Sequence, residues 1–236
     1  MRTGFSRLAG RVALVGALAA GGAAHAGPWA REKGQVFAIV SGQSDATGES
    51  WTGIWAEYGL TSRITLGLDG GVSGRGDGKV IVWGQKSWEH GEHRFAASMG
   101  LGASLIQDTP IPLGQVGLGW GRGISTRFGP GWLSAEGRAT MTTQSAPAGA
   151  ADLPGGFLLP ENALKAEFTL GLRPRERLML INQLRFDVTD DSGLEAELAN
   201  SVVFALSKPT KVEVGLTNPI VGEGEAALKV GLWLEF

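Results

Sequence analysis

The 236-residue chain contains no cysteine. Disulfides, iron–sulfur ligation and cysteine-based catalysis are therefore excluded, although an oxidising compartment is not. Basic charge is also in short supply. The first 26 residues carry Arg2, Arg7 and Arg11 and no acidic residue, so 18 of the 21 basic residues and all 23 acidic ones follow, a net charge of −5 with His neutral. No basic patch is present to neutralise phosphates, which argues against nucleic acid as a partner. Beyond the N-terminus no stretch approaches the roughly 18 consecutive apolar residues that mark a transmembrane helix. Only two histidines, His90 and His93, follow residue 26, and no G-x-S-x-G nucleophile elbow occurs.

The N-terminus reads as a secretory signal. Three arginines precede an uncharged apolar run, Val12 to Ala20, and Ala24-His25-Ala26 has the A-x-A form of a cleavage site. The apolar run is shorter than the roughly 20 residues a bilayer-spanning helix needs. The expected division is a cleaved signal peptide over 1–26 and one domain over 27–236.

From Gly27 onward the dominant periodicity is two, the mark of strands whose faces meet different environments. The segment 225–236 is the cleanest. Ala226, Leu228, Val230, Leu232, Leu234 and Phe236 share one face, whereas Glu225, Lys229, Gly231, Trp233 and Glu235 share the other. Slipping the register by one residue would put two glutamates and a lysine on the apolar side. In lipid, a lysine at mid-depth costs roughly 2–4 kcal/mol. The same alternation sets Glu136 and Arg138, Lys165 and Glu167, Arg185 and Asp187, Glu195 and Glu197, and Lys211 and Glu213 against apolar neighbours. Over 35–44 and 79–88 the alternation is blurred and assigns no face.

Counting such runs gives about twelve strands, near 34–44, 51–60, 63–73, 79–89, 93–106, 113–125, 131–142, 163–173, 176–188, 193–206, 210–217 and 224–236. An even count suits a single-chain antiparallel up-and-down transmembrane barrel with both termini on the periplasmic side. The periplasmic links are then Thr61-Ser62, the Glu89–His93 turn, Thr126–Pro130, Pro174-Arg175 and Lys208-Pro209, all short. The longest link, Thr143–Asn162, falls on the outer side and is rich in Ala, Pro and Gly.

Alternation alone is symmetric, since a soluble barrel buries its apolar face and a membrane barrel exposes it. The last eight residues address that ambiguity. Lys229, Gly231, Leu234 and Phe236 occupy the constrained positions of a pattern that resembles the C-terminal β-signal of bacterial outer-membrane barrel proteins. The resemblance covers eight residues. It implies insertion by the barrel assembly machinery and residence among outer-membrane lipids.

Candidate chemistry is sparse. Glu89-His90-Gly91-Glu92-His93 places two imidazoles and two carboxylates within five residues, a weak candidate metal site at His90 and His93, but a solvated turn explains it more simply. Arg75-Gly76-Asp77 has the form of an adhesion tripeptide, and equally of a glycine turn. Gly117, Gly119, Gly121 and Gly123 alternate on a strand and read as small residues facing a crowded lumen rather than a phosphate loop. Trp51, Trp120, Trp132 and Trp233 lie near strand ends, where aromatic girdles form, or else face a lumenal ligand.

The eleven charged residues expected to line the lumen are Glu136, Arg138, Lys165, Glu167, Arg185, Asp187, Glu195, Glu197, Lys211, Glu213 and Lys229. They either set the selectivity of a polar pore or pair across strands and fill it. Twelve strands fall between filled eight-stranded and open sixteen-stranded barrels. The resulting expectation is a non-enzymatic, cofactor-free outer-membrane barrel, a narrow pore or a binding barrel for small polar solutes. Two alternatives stay open: an outer-membrane barrel enzyme acting on lipid or peptide, and a soluble periplasmic β-barrel binding an apolar ligand.

Overall fold

A computed structural model of the protein describes residues 27–142, 162–189, 193–222 and 224–236. The expected signal peptide over 1–26, and all but Asn162 of the long link expected after strand seven, lie outside the described residues. The strands are β1 (Val36–Asp45), β2 (Ser50–Gly59), β3 (Ile64–Ser73), β4 (Gly78–His90), β5 (His93–Ile106), β6 (Thr109–Thr126), β7 (Gly129–Thr142), β8 (Ala163–Arg175), β9 (Leu178–Thr189), β10 (Gly193–Ala205), β11 (Thr210–Val221) and β12 (Ala227–Glu235). Each pairs antiparallel with its sequence neighbours, and β1 pairs with β12, so the sheet closes into a barrel with no free edge. Closure extends to the last residue. The Phe236 amide donates to the Val36 carbonyl at 3.0 Å, and the Val36 amide donates to the Phe236 carbonyl at 2.7 Å.

The alternation resolves into an inner and an outer face. Leu228, Val230, Leu232 and Phe236 are exposed on the outside of β12, whereas Gly231 and Trp233 are buried inside. Leu101 on β5 is 75 % exposed and Leu118 on β6 is 70 % exposed, both on the outer wall. A soluble barrel would have to present this belt to water, and the apolar exterior matches lipid instead. The blurred segments now have faces. Phe37, Ile39, Ser41 and Gln43 point inward from β1, and Lys79, Ile81, Trp83 and Gln85 point inward from β4; Val40, Val80 and Val82 point out.

Several strand ends differ from expectation by one to four residues, and three of the differences turn on proline. β6 begins at Thr109, four residues early, although Pro110 and Pro112 precede the expected start. Among the described residues β6 pairs there with β5 alone, its ladder with β7 starting at Leu113. A proline on a one-sided stretch loses no ladder bond. Pro219 lies in β11 for the same reason: pairing with β10 reaches Val221, while pairing with β12 stops at Thr217. The expected Pro174-Arg175 turn is instead the end of β8, with the turn moved to Glu176-Arg177 and a register shift between Leu172 and Arg175 absorbing the proline.

Tight hairpins occur at both ends of the barrel. Between β4 and β5, His90 pairs with His93 around Gly91-Glu92, and Gly91 takes a φ of 60°, which glycine adopts without steric cost. Between β3 and β4, Gly76 has a φ of 93° and its amide donates to the Ser73 carbonyl at 3.0 Å.

Candidate functional site: the barrel lumen

The lumen is occupied from three directions. The first occupant is the chain itself. Residues 27–35 fold back into the barrel before β1 starts. Pro28 is fully buried, and the Gly27 carbonyl accepts from Gln85 Nε2 on β4 at 2.8 Å. The Arg31 amide donates to Thr65 Oγ1 on β3 at 3.0 Å. The Arg31 guanidinium pairs with Glu57 on β2, with both side chains 4 % exposed or less. Glu57 also accepts from Trp55 Nε1 at 2.8 Å. The carbonyl of Glu32 sits so close to Gly59 that no side chain fits there.

The glycine series on β6 is what seats this segment. Gly119 and Gly121 face Pro28, and the Trp29 indole lies against Gly121, where a Cβ would collide with it. Gly117 leaves room for Ser98 and the stem of Arg138. The crowded-lumen reading thus becomes specific for 117, 119 and 121. Gly123, near the end of β6, faces open space, with nothing within 4 Å of where a Cβ would lie.

The second occupant is aromatic. Phe37, Trp132, Met179, Ile181, Val203 and Trp233 form a buried cluster near the end of the barrel that holds both termini. Phe37 and Trp233 meet edge to face at 5.7 Å. Such packing supplies burial in a place where a charged wall alone would hold water. Further along, Trp55 and Trp83 lie 5.1 Å apart. Arg138 on β7 reaches across to Trp55 on β2, its guanidinium carbon 5.4 Å from the ring centre, although the two strands are five apart in the ring. Trp51, Trp132 and Trp233 therefore point inward and join no outer girdle. Their parity is that of Glu57, Glu136 and Lys229. Trp120 does face out, beside His93, and Trp88 and Phe95 stack at 6.0 Å on the same outer wall. The inward indoles are accommodated by glycines on neighbouring strands: Trp83 against Gly67, Trp51 against Gly71, and Trp132 against Gly171.

The third occupant is charge. Glu136 pairs with Arg138 at 3.2 Å, Lys165 with Asp187, and Arg185 with both Glu167 (3.3 Å) and Glu197 (2.8 Å). Lys229 pairs with Glu213 at 3.1 Å, and Trp233 Nε1 donates to the same carboxylate at 2.9 Å. Lys211 pairs with Glu235 at 2.6 Å. The charged residues singled out in the sequence are thus brought together on the inner wall, and Glu195 shares their inward parity near the opposite rim. Five more charged residues belong to the same inner network: Arg31, Glu57, Asp69, Lys79 and Glu235, of which only Glu235 is marked by the alternation of its strand. Asp69 and Lys79 lie in or near weakly alternating stretches and pair at 3.0 Å. Arg31 precedes the first strand, where no periodicity signals its face.

What remains between these groups is a narrow cavity of about 30 Å³, bounded by Gly27, Trp55, Trp83, Gln85, Gln115 and Arg138.

The four-ligand turn does not converge on a point. His93 Nδ1 accepts from Trp120 Nε1 at 3.0 Å, Glu89 pairs with Arg94 at 3.0 Å, and Glu92 pairs with Arg122. Among the described residues no group of three or more His, Asp or Glu is placed to hold a metal. In the Arg75-Gly76-Asp77 turn, Asp77 is buried and its Oδ1 accepts the Gln107 amide at 2.8 Å, while Arg75 pairs with Glu49. The aspartate ties two hairpins together.

The four residues of the C-terminal pattern divide between the faces. Lys229 and Gly231 look inward, and a Cβ on Gly231 would lie 3.1 Å from Glu213 Oε2. Leu234 and Phe236 look outward.

No family model and no curated protein sequence matches the chain. Solved structures do. The KdgM porin superposes with a TM-score of 0.61 at 8 % identity, over 86 % of this chain and 99 % of that one. An outer membrane channel from Pseudomonas putida F1 gives 0.60 at 10 % identity, over 89 % and 98 %. The NanC porin gives 0.57 at 10 % identity, over 84 % and 98 %. At such identities the likeness is one of fold. The chain is a twelve-stranded antiparallel barrel of the kind that outer-membrane porins and channels share, apolar outside and charged within.

Proposed function

We propose that the protein is a narrow channel of the bacterial outer membrane that passes small polar solutes, and that residues 27–33 restrict its lumen. The carrying observation is the inner wall. Charged groups of both signs are held in pairs around the narrow space left in the lumen. Balanced pairs offer a polar solute hydrogen-bonding partners without a strong field of one sign. One structure of the KdgM porin is a complex with disordered oligogalacturonate. A wall of paired charges favours neutral or zwitterionic solutes over multiply charged ones.

The reading has no enzymatic step. His93 is held by Trp120 on the outer wall, and His90 lies exposed on the turn, so neither is set beside a nucleophile. Residues 1–26 act as a removable export signal in this account, and the pattern ending in Phe236 is what the barrel assembly machinery reads. Because little free space is left in the lumen, a binding barrel that retains its solute is the second reading.

Liposomes carrying the refolded chain from residue 27 test the proposal. Leakage of sugars and amino acids of low mass, with retention of larger solutes, supports the channel. Retention of every solute by vesicles whose barrel is folded, as shown by a gel mobility that shifts only on boiling, overturns it.

A further inference from the structure

The chain enters the lumen with Gly27, and what this residue carries depends on whether residues 1–26 have been removed. In the uncleaved chain the Gly27 nitrogen is an amide. Cleavage after Ala26, the position that the Ala24-His25-Ala26 pattern marks, makes it an α-ammonium.

The surroundings of Gly27 are those of a cation site. A Cβ on Gly27 would lie 3.4 Å from Glu136 Oε1, so the nitrogen, bonded to the same Cα, is within reach of that carboxylate. Gln85 fixes the residue from the other side through its carbonyl. The carboxylates pointing into the barrel around this level are Glu57, Asp69, Glu136, Glu167, Asp187 and Glu197; the cations are Arg31, Lys79, Arg138, Lys165 and Arg185. That is six acids against five bases, and Arg185 is shared by two of the acids. A charge at mid-lumen acts where little water screens it.

We propose that processing converts Gly27 into a lumenal α-ammonium paired with Glu136, and that this charge latches the N-terminal segment and sets the ion selectivity of the channel. The first half needs cleavage at residue 26 and no pore; the second half rests on the channel reading above.

Four proteins refolded into lipid test both halves: the chain beginning at Gly27, the same chain with its terminal amine converted to a carbonyl by transamination in urea before refolding, and each of these carrying Glu136→Gln. Transamination spares the lysines, so only the terminus changes. The latch predicts that loss of the amine lowers the temperature of the gel mobility shift, and that Glu136→Gln lowers it much less once the amine is gone, because the two changes remove one interaction. Additive effects overturn the latch whether or not the barrel conducts. In planar bilayers under a salt gradient, the free amine should raise the chloride-to-potassium permeability ratio roughly twofold over the blocked protein. Equal ratios in two conducting proteins overturn the selectivity claim and leave the channel standing; absence of conductance in all four overturns the selectivity claim together with the channel. The mass of the protein from native membranes should correspond to a start at Gly27, and a different terminus overturns the inference at its origin.

Discussion

The Arg31 guanidinium and the Glu57 carboxylate form an ion pair inside the barrel, joining the segment before β1 to the wall of β2, with neither side chain more than 4 % exposed. A buried pair of this kind is costly to split, because removing one partner strands the other charge away from water, at about 3–5 kcal/mol.

Arg31→Ala should therefore free the N-terminal segment and lower stability together. The expected result is a larger unit conductance and an earlier gel mobility shift. Replacing both residues by a size-matched apolar pair, Arg31→Met with Glu57→Leu, should restore stability without an orphaned charge. Unchanged conductance in Arg31→Ala would show that residues 27–33 do not restrict the path.

Glycines that lie under tryptophans should not accept side chains. Gly171→Val puts a branched side chain where the Trp132 indole lies, and Gly67→Val does the same to Trp83. Overpacking of this kind costs about 1–3 kcal/mol. Gly114→Ala, with open space at its Cβ position, serves as the control. Urea unfolding in lipid vesicles separates them, and equal midpoints for Gly171→Val and Gly114→Ala would contradict the packing described.

The outer wall makes a depth-dependent prediction. Leu118→Arg on mid-β6 should cost about 2–4 kcal/mol of folding free energy in a bilayer. Glu92→Arg in the β4–β5 turn should cost far less. A tolerated arginine at 118 would mean that this face does not meet lipid.

Much of this architecture is legible in the residues. Two-residue periodicity marks the strands wherever charge alternates with Leu, Val and Phe, as in β8 to β12, and the parity of Glu136, Lys165 and Lys229 alone assigns them to one face. The boundaries at Pro110, Pro174 and Pro219 are not legible. A proline reads as a strand end until it is known which neighbour the missing N–H would have served. The path of residues 27–35 carries no periodicity, so nothing local shows that Pro28 and Trp29 rest on a glycine strip almost a hundred residues away. Trp55 and Arg138 likewise meet only because the barrel closes. Pairings that depend on which strands face each other across a lumen are properties of the closed ring.

The central claim, a narrow polar path through a membrane barrel restricted by its own N-terminal segment, is tested most directly by single-channel recording of the chain from residue 27 beside a chain lacking residues 27–33. The account predicts small discrete conductance steps for the first and larger ones for the second. Two folded, heat-modifiable barrels with no conductance in either, or with identical steps, would contradict it.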